Sequence, residues 1–122
     1  MSKGAALQAF FERFLTAYAA SSVPIDAVFP YLTYEMATSA WQEGEVGLTV
    51  NLWYYTDNEA LPNAKAQEIA NAVGNGGVLV PCGGGAVWLK RGAPWCQNLR
   101  DEADPQIKRR YINLTAEYLT LD

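Results

Sequence analysis

Val46-Gly47-Leu48-Thr49-Val50-Asn51-Leu52-Trp53-Tyr54-Tyr55 is the stretch on which the fold turns. Val46, Leu48, Val50, Leu52 and Tyr54 alternate with Gly47, Thr49, Asn51, Trp53 and Tyr55. That period of two belongs to a strand with one buried face. The same period runs upstream from Tyr31 to Thr38, with Leu32, Tyr34 and Met36 set against Tyr31, Thr33 and Glu35. A polar connection from Ser39 to Gly44, carrying Trp41, joins the two runs, and together they read as an antiparallel hairpin. A sheet face this apolar needs a cover.

Upstream, Leu7, Phe10, Phe11, Phe14, Leu15 and Tyr18 recur at helical spacing, while Gln8, Glu12, Arg13 and Thr16 point the other way. The spacing predicts a helix that stops near Ala20, ahead of Ser21-Ser22-Val23-Pro24, with its aromatic stripe buried on the sheet. Downstream, Asp57 or Asn58 is placed to cap a second helix with Pro62 in its first turn. Ala66, Ile69, Ala70 and Val73 form the buried stripe of that helix, and Gly74-Asn75-Gly76-Gly77 ends it. Val78 to Cys82 and Ala86 to Arg91 flank Gly83-Gly84-Gly85 as a tight hairpin. Gly92 to Pro105, rich in proline and polar residues, reads as a loop, and Ile107 to Leu121 as a last strand with a neighbour on each side. The expectation is one α+β domain over residues 1–122. It has a mostly antiparallel sheet of about five strands and two helices packed on one face.

The chain has 122 residues, 9 basic and 13 acidic, for a formal net charge of −4. An acidic balance argues against a protein whose task is to wrap nucleic-acid phosphates. No apolar run reaches the ~18 to 20 residues that span a bilayer, and Glu12 and Arg13 interrupt any leader-like core, so synthesis and folding in a cytosol are expected. Histidine is absent and the two cysteines, Cys82 and Cys96, form no CxxC pair, so neither a zinc site nor the commonest general base is on offer. The glycine run lacks the GxxxxGK spacing of a phosphate loop and leads into a strand. Asp101, Glu102 and Asp104 are the only carboxylate cluster. They read as a solvated loop beside Lys108, Arg109 and Arg110, with no activated nucleophile near them in sequence. No cofactor, metal or catalytic residue is expected. Trp41 and Trp95, set among polar and proline residues, read as loop tryptophans suited to anchor an interface.

Four blocks carry a resemblance. They are Phe29-Pro30-Tyr31-Leu32-Thr33-Tyr34-Glu35, Val46 to Trp53, Trp88-Leu89-Lys90-Arg91-Gly92-Ala93-Pro94-Trp95, and Asp104 to Leu114. In this order and spacing the chain resembles the tail terminator proteins of long-tailed bacteriophages and prophages, also described as tail completion or minor capsid proteins. The resemblance implies an α+β subunit that forms a hexameric ring in the virion, though it can be monomeric alone. The ring caps the tube built from the major tail protein and meets the head completion protein at the head–tail joint. DNA passes through its lumen without sequence-specific binding, no membrane is involved, and the family has no catalytic residues to carry over.

The subunit contact is read from charge. Arg100, Lys108, Arg109 and Arg110 stand beside Asp101, Glu102 and Asp104, and adjacent strand residues point to opposite faces. A head-to-tail ring lets the acids of one subunit meet the bases of the next. Asp101 and Asp104 are therefore expected to pair with Arg109 or Arg110 across the boundary, with Trp95 or Trp41 filling the adjoining apolar spot. The alternative is a non-viral protein- or peptide-binding module without catalysis. A small hydrolase using the loop carboxylates ranks behind both.

Overall fold

Ser2 opens the first helix, its hydroxyl accepting a hydrogen bond from the Ala5 amide at 3.1 Å. In the computed structural model, which describes residues 2–36 and 45–120, helix α1 spans Lys3–Glu12. The next amides bond three residues back, Arg13 to Phe10 and Phe14 to Phe11, and this tightening ends the helix. The expected run to Ala20 is therefore corrected. Strand β1 (Ala17–Ala19) follows, then a single 3-10 turn at Ala20–Ser22, and β2 (Tyr31–Met36). The remaining elements are β3 (Glu45–Tyr55), α2 (Ala60–Val73), β4 (Val78–Cys82), β5 (Gly85–Arg100) and β6 (Ile107–Thr120). The 37–44 connection, with Trp41, lies outside the described residues.

Among the described residues the sheet has six strands in the order β1-β2-β3-β6-β5-β4. All neighbours are antiparallel except β1, which runs parallel to β2 with Ala17 beside Leu32. The architecture is α+β as expected, but the sheet is mixed and one strand larger. The extra strand comes from residues whose apolar spacing had suggested more helix. A second correction concerns 92–105. Strand β5 does not end at Arg91; it passes through an irregularity between Arg91 and Cys96 and continues to Arg100, paired with β6. Pro94 lies in that irregularity, where a residue without an amide hydrogen interrupts no ladder bond. Only 101–106 remains as the connecting turn.

Both helices cover the same side of the sheet. Cross-strand partners put Leu32, Leu52, Val50, Leu48, Ile112 and Leu114 on this side, and each is buried. Helix α2 packs on the central strands β6, β5 and β3 through Ala66, Ile69 and Val73. Helix α1 touches β1 and β4, the two opposite edges, so the sheet curls until both edges meet one helix. Phe10 and Phe11 of α1 fill the space so enclosed. Gln8, expected to face solvent, ties the closure instead: its amide donates to the Ala17 carbonyl at 2.8 Å and accepts from the Tyr34 hydroxyl at 2.5 Å. One apolar cluster thus draws on both helices and all six strands.

Asn58 Oδ1 accepts from the Ala60 amide at 2.8 Å at the start of α2, and Gly74 leaves the helix with a positive φ of 76°. Cys82 and Gly85 close the β4–β5 hairpin around Gly83-Gly84. Cys82 lies level with Thr120 of β6, through Gly85, whereas Cys96 lies level with Ile112. That separation along one strand is roughly 25 Å, far beyond the reach of a disulfide. Both thiols are free.

Candidate functional site

The alternation in β6 sorts the candidate bases. Lys108 and Arg110 point to the helix side and are buried, at 7% and 1% exposure, whereas Arg109 points to the side that neither α1 nor α2 covers. Arg110 is held inside the chain. Its Nη2 donates to Glu59 at 2.6 Å and its Nε to Asn63 at 3.0 Å, both at the start of α2. Lys108 donates its ammonium to the Pro105 carbonyl. With Glu59, Asn98 and Leu99 these two cations line a depression of about 200 Å³.

The acids serve their own turn. Asp101 Oδ1 accepts from the amides of Ala103 and Asp104, at 2.8 and 3.3 Å, and Asp104 Oδ1 from the Gln106 amide at 3.0 Å. These are Asx-turn bonds, which shape the loop. Asp101 and Glu102 remain exposed and, with Trp53, Ile107 and Arg109, surround a second depression of about 270 Å³. Arg100 is the last residue of β5, paired with Lys108. Trp95 lies in β5, not in a loop, half-buried against the core, with the Arg91 guanidinium 6.0 Å from its ring centre. Of the candidates described, only Asp101 and Arg109 share a depression on the uncovered side; Lys108 and Arg110 lie on the opposite side of the same strand.

An aromatic row on that uncovered side went unassigned in the sequence analysis. Trp53 stacks on its cross-strand partner Tyr31, centroids 6.2 Å apart at 18°. Tyr31 meets Tyr18 at 5.9 Å and Phe29 at 5.4 Å, and Phe29 meets Tyr55 at 5.8 Å. The Arg109 guanidinium sits 5.3 Å from the Trp53 ring centre, and the indole donates to Thr33 Oγ1 at 3.0 Å. Burial, and secondarily Tyr18, raises the Tyr31 pKa above the usual phenol range. The signal was present in the alternation, which puts Tyr31, Trp53 and Tyr55 opposite the core-facing residues of their strands. Beside the row, Asn51 Oδ1 is buried without a hydrogen-bond partner among the described residues.

Among the described residues no group of three or more acids or cysteines is arranged to hold a metal, and no helix is long and apolar enough to cross a membrane. The row can stack, accept a cation or pack against another protein surface. No protein-family model matches the chain, and no curated protein or solved structure matches it significantly.

Proposed function

We propose that this chain is a virion assembly subunit of the tail terminator type. It closes the tail tube of a long-tailed bacteriophage as a ring and forms part of the joint with the head. The observation that carries the reading is where the four resembling blocks fall. They lie on β2, β3, β6 and β5, which are consecutive neighbours in the sheet. The resemblance therefore maps to one continuous structural unit rather than to scattered segments. Two further features support an assembly role. The uncovered side of the sheet carries aromatic and charged groups suited to packing on a protein surface. Asp101 and Asp104 of the 101–106 turn are engaged by that turn's own amides.

The inter-subunit ion pair proposed from charge narrows to Arg109, because Arg110 already has Glu59 and Asn63 as intramolecular partners. Co-expression with the tail-tube protein of its own genome tests the function. Tubes are expected to stop growing once the chain caps one end, giving a narrow length distribution. Tubes that keep growing with no chain at either end would overturn the reading.

A further inference from the structure

Opposite edges of the curled sheet carry a convex and a concave apolar feature. The connection between β1 and β2 projects as a turn, closed by the Ala27 amide donating to the Pro24 carbonyl at 3.1 Å. Ile25 and Val28 at this turn are 107% and 77% exposed, and Asp26 stands between them. At the other edge, α1 and β4 enclose a groove of about 240 Å³ between Ala6, Ala9 and Phe10 on one wall and Leu79 and Pro81 on the other, with Arg13 at its rim. Leu79 is itself 56% exposed.

We propose that the Ile25–Val28 knob of one copy of this chain docks in the α1–β4 groove of the next, with Asp26 meeting Arg13. The proposal rests on the reading of the chain as a self-assembling subunit and names the contact. Charge selects the occupant. The Arg13 guanidinium lies 5.2 and 5.5 Å from the Phe10 and Phe14 ring centres, and neither it nor Asp26 makes an ion pair among the described residues. A partner that brings aliphatic side chains and an acid together fits both the groove and its rim, and this chain displays that combination on its own surface. Pro81 on the edge strand opposes added strands by removing an amide hydrogen, so the groove suits side chains rather than β-pairing. Because knob and groove are different patches, the contact is head-to-tail, the kind that closes into rings when the rotation allows.

Sedimentation of the full chain tests this with a knob variant (Ile25→Asp with Val28→Asp) and a groove variant (Leu79→Asp). All three positions are exposed, so each variant is expected to keep the wild-type circular dichroism spectrum and melting temperature. Wild-type chain should pass beyond dimers as its concentration approaches about 1 mM. Each variant alone should stay monomeric. An equimolar mixture should stop at dimers, because it offers one working knob and one working groove. Asp26→Arg and Arg13→Asp should each weaken association about tenfold, and combining them should restore most of it. If the knob and groove variants associate like wild type, the contact is wrong while self-assembly stands. If wild-type chain stays monomeric at about 1 mM, the contact is overturned, and the terminator reading is judged separately on tail tubes.

Discussion

Arg110 shows how a run of three cations is divided by strand geometry. Lys108, Arg109 and Arg110 look equivalent in sequence, yet the two-residue period sends the outer pair to the helix side and the middle one to the opposite side. Burying Arg110 is tolerable because Glu59 and Asn63 meet its guanidinium. Glu59 is the more exposed partner, its side chain 55% accessible, yet its loss leaves the buried charge short of its counter-ion. Glu59→Ala should therefore cost about 1 to 2 kcal/mol in urea unfolding. Arg110→Met, which removes the charge and keeps much of the volume, should cost less. Titration adds a second expectation. Burial raises the pKa of Tyr31, Tyr34 and Tyr54, and of the Cys96 thiol, where nearby Arg110 partly offsets it. A group with a raised folded pKa holds its proton longer when folded. These groups thus contribute stability that is fully present below their unfolded pKa values and lost as pH rises through the folded ones. Stability measured by urea melts should fall as pH climbs past roughly 10 for the tyrosines. A flat or rising profile there would contradict the burial of these phenols.

Among the elements, α1 closes the sheet and α2 braces its centre. Phe11 of α1 is fully buried in the core, so Phe11→Ala should cost about 3 to 5 kcal/mol, read as a shift in the denaturation midpoint. The link from α2 to β4 depends on Gly77, whose φ is +89° and where an added Cβ would lie 2.5 Å from the Leu89 carbonyl oxygen. Gly77→Ala should destabilise by about 2 kcal/mol or more, whereas Gly76→Ala, with open space around it, should be nearly silent in the same melts. The strands β3 and β6 and the helix α2 were legible because each keeps one period with a buried stripe. The end of α1 was not. Phe11, Phe14 and Ala17 are all buried across the break, so the apolar spacing continues while the backbone changes, and no glycine or proline marks the stop. Tertiary pairing sets the break: the Leu32 amide bonds the Thr16 carbonyl at 2.9 Å and β2 captures 17–19 as a strand. The second half of β5 was hidden for a related reason. Proline and exposed polar residues resemble a loop, and only the register with β6 reveals a strand interrupted by a bulge.

For the molecule as a whole, the division lies between what the chain encloses and what it offers. The buried core draws on every described helix and strand of one copy, while the aromatic row on the uncovered side is half-buried and the knob and groove lie at the two edges. The candidate site was only partly legible. Sequence placed Asp101 near Arg109 but could not assign Arg110 to α2, because Glu59 and Asn63 lie about fifty residues upstream and meet it only through packing. The aromatic row depends likewise on the register between β2 and β3. Assembly on a tail tube is the central claim, and electron microscopy of tubes incubated with the purified chain tests it most directly. Averaged images of tube ends should show a six-fold ring of this chain on one end only. Bare ends, or chain scattered along the tube wall without a ring, would contradict the account.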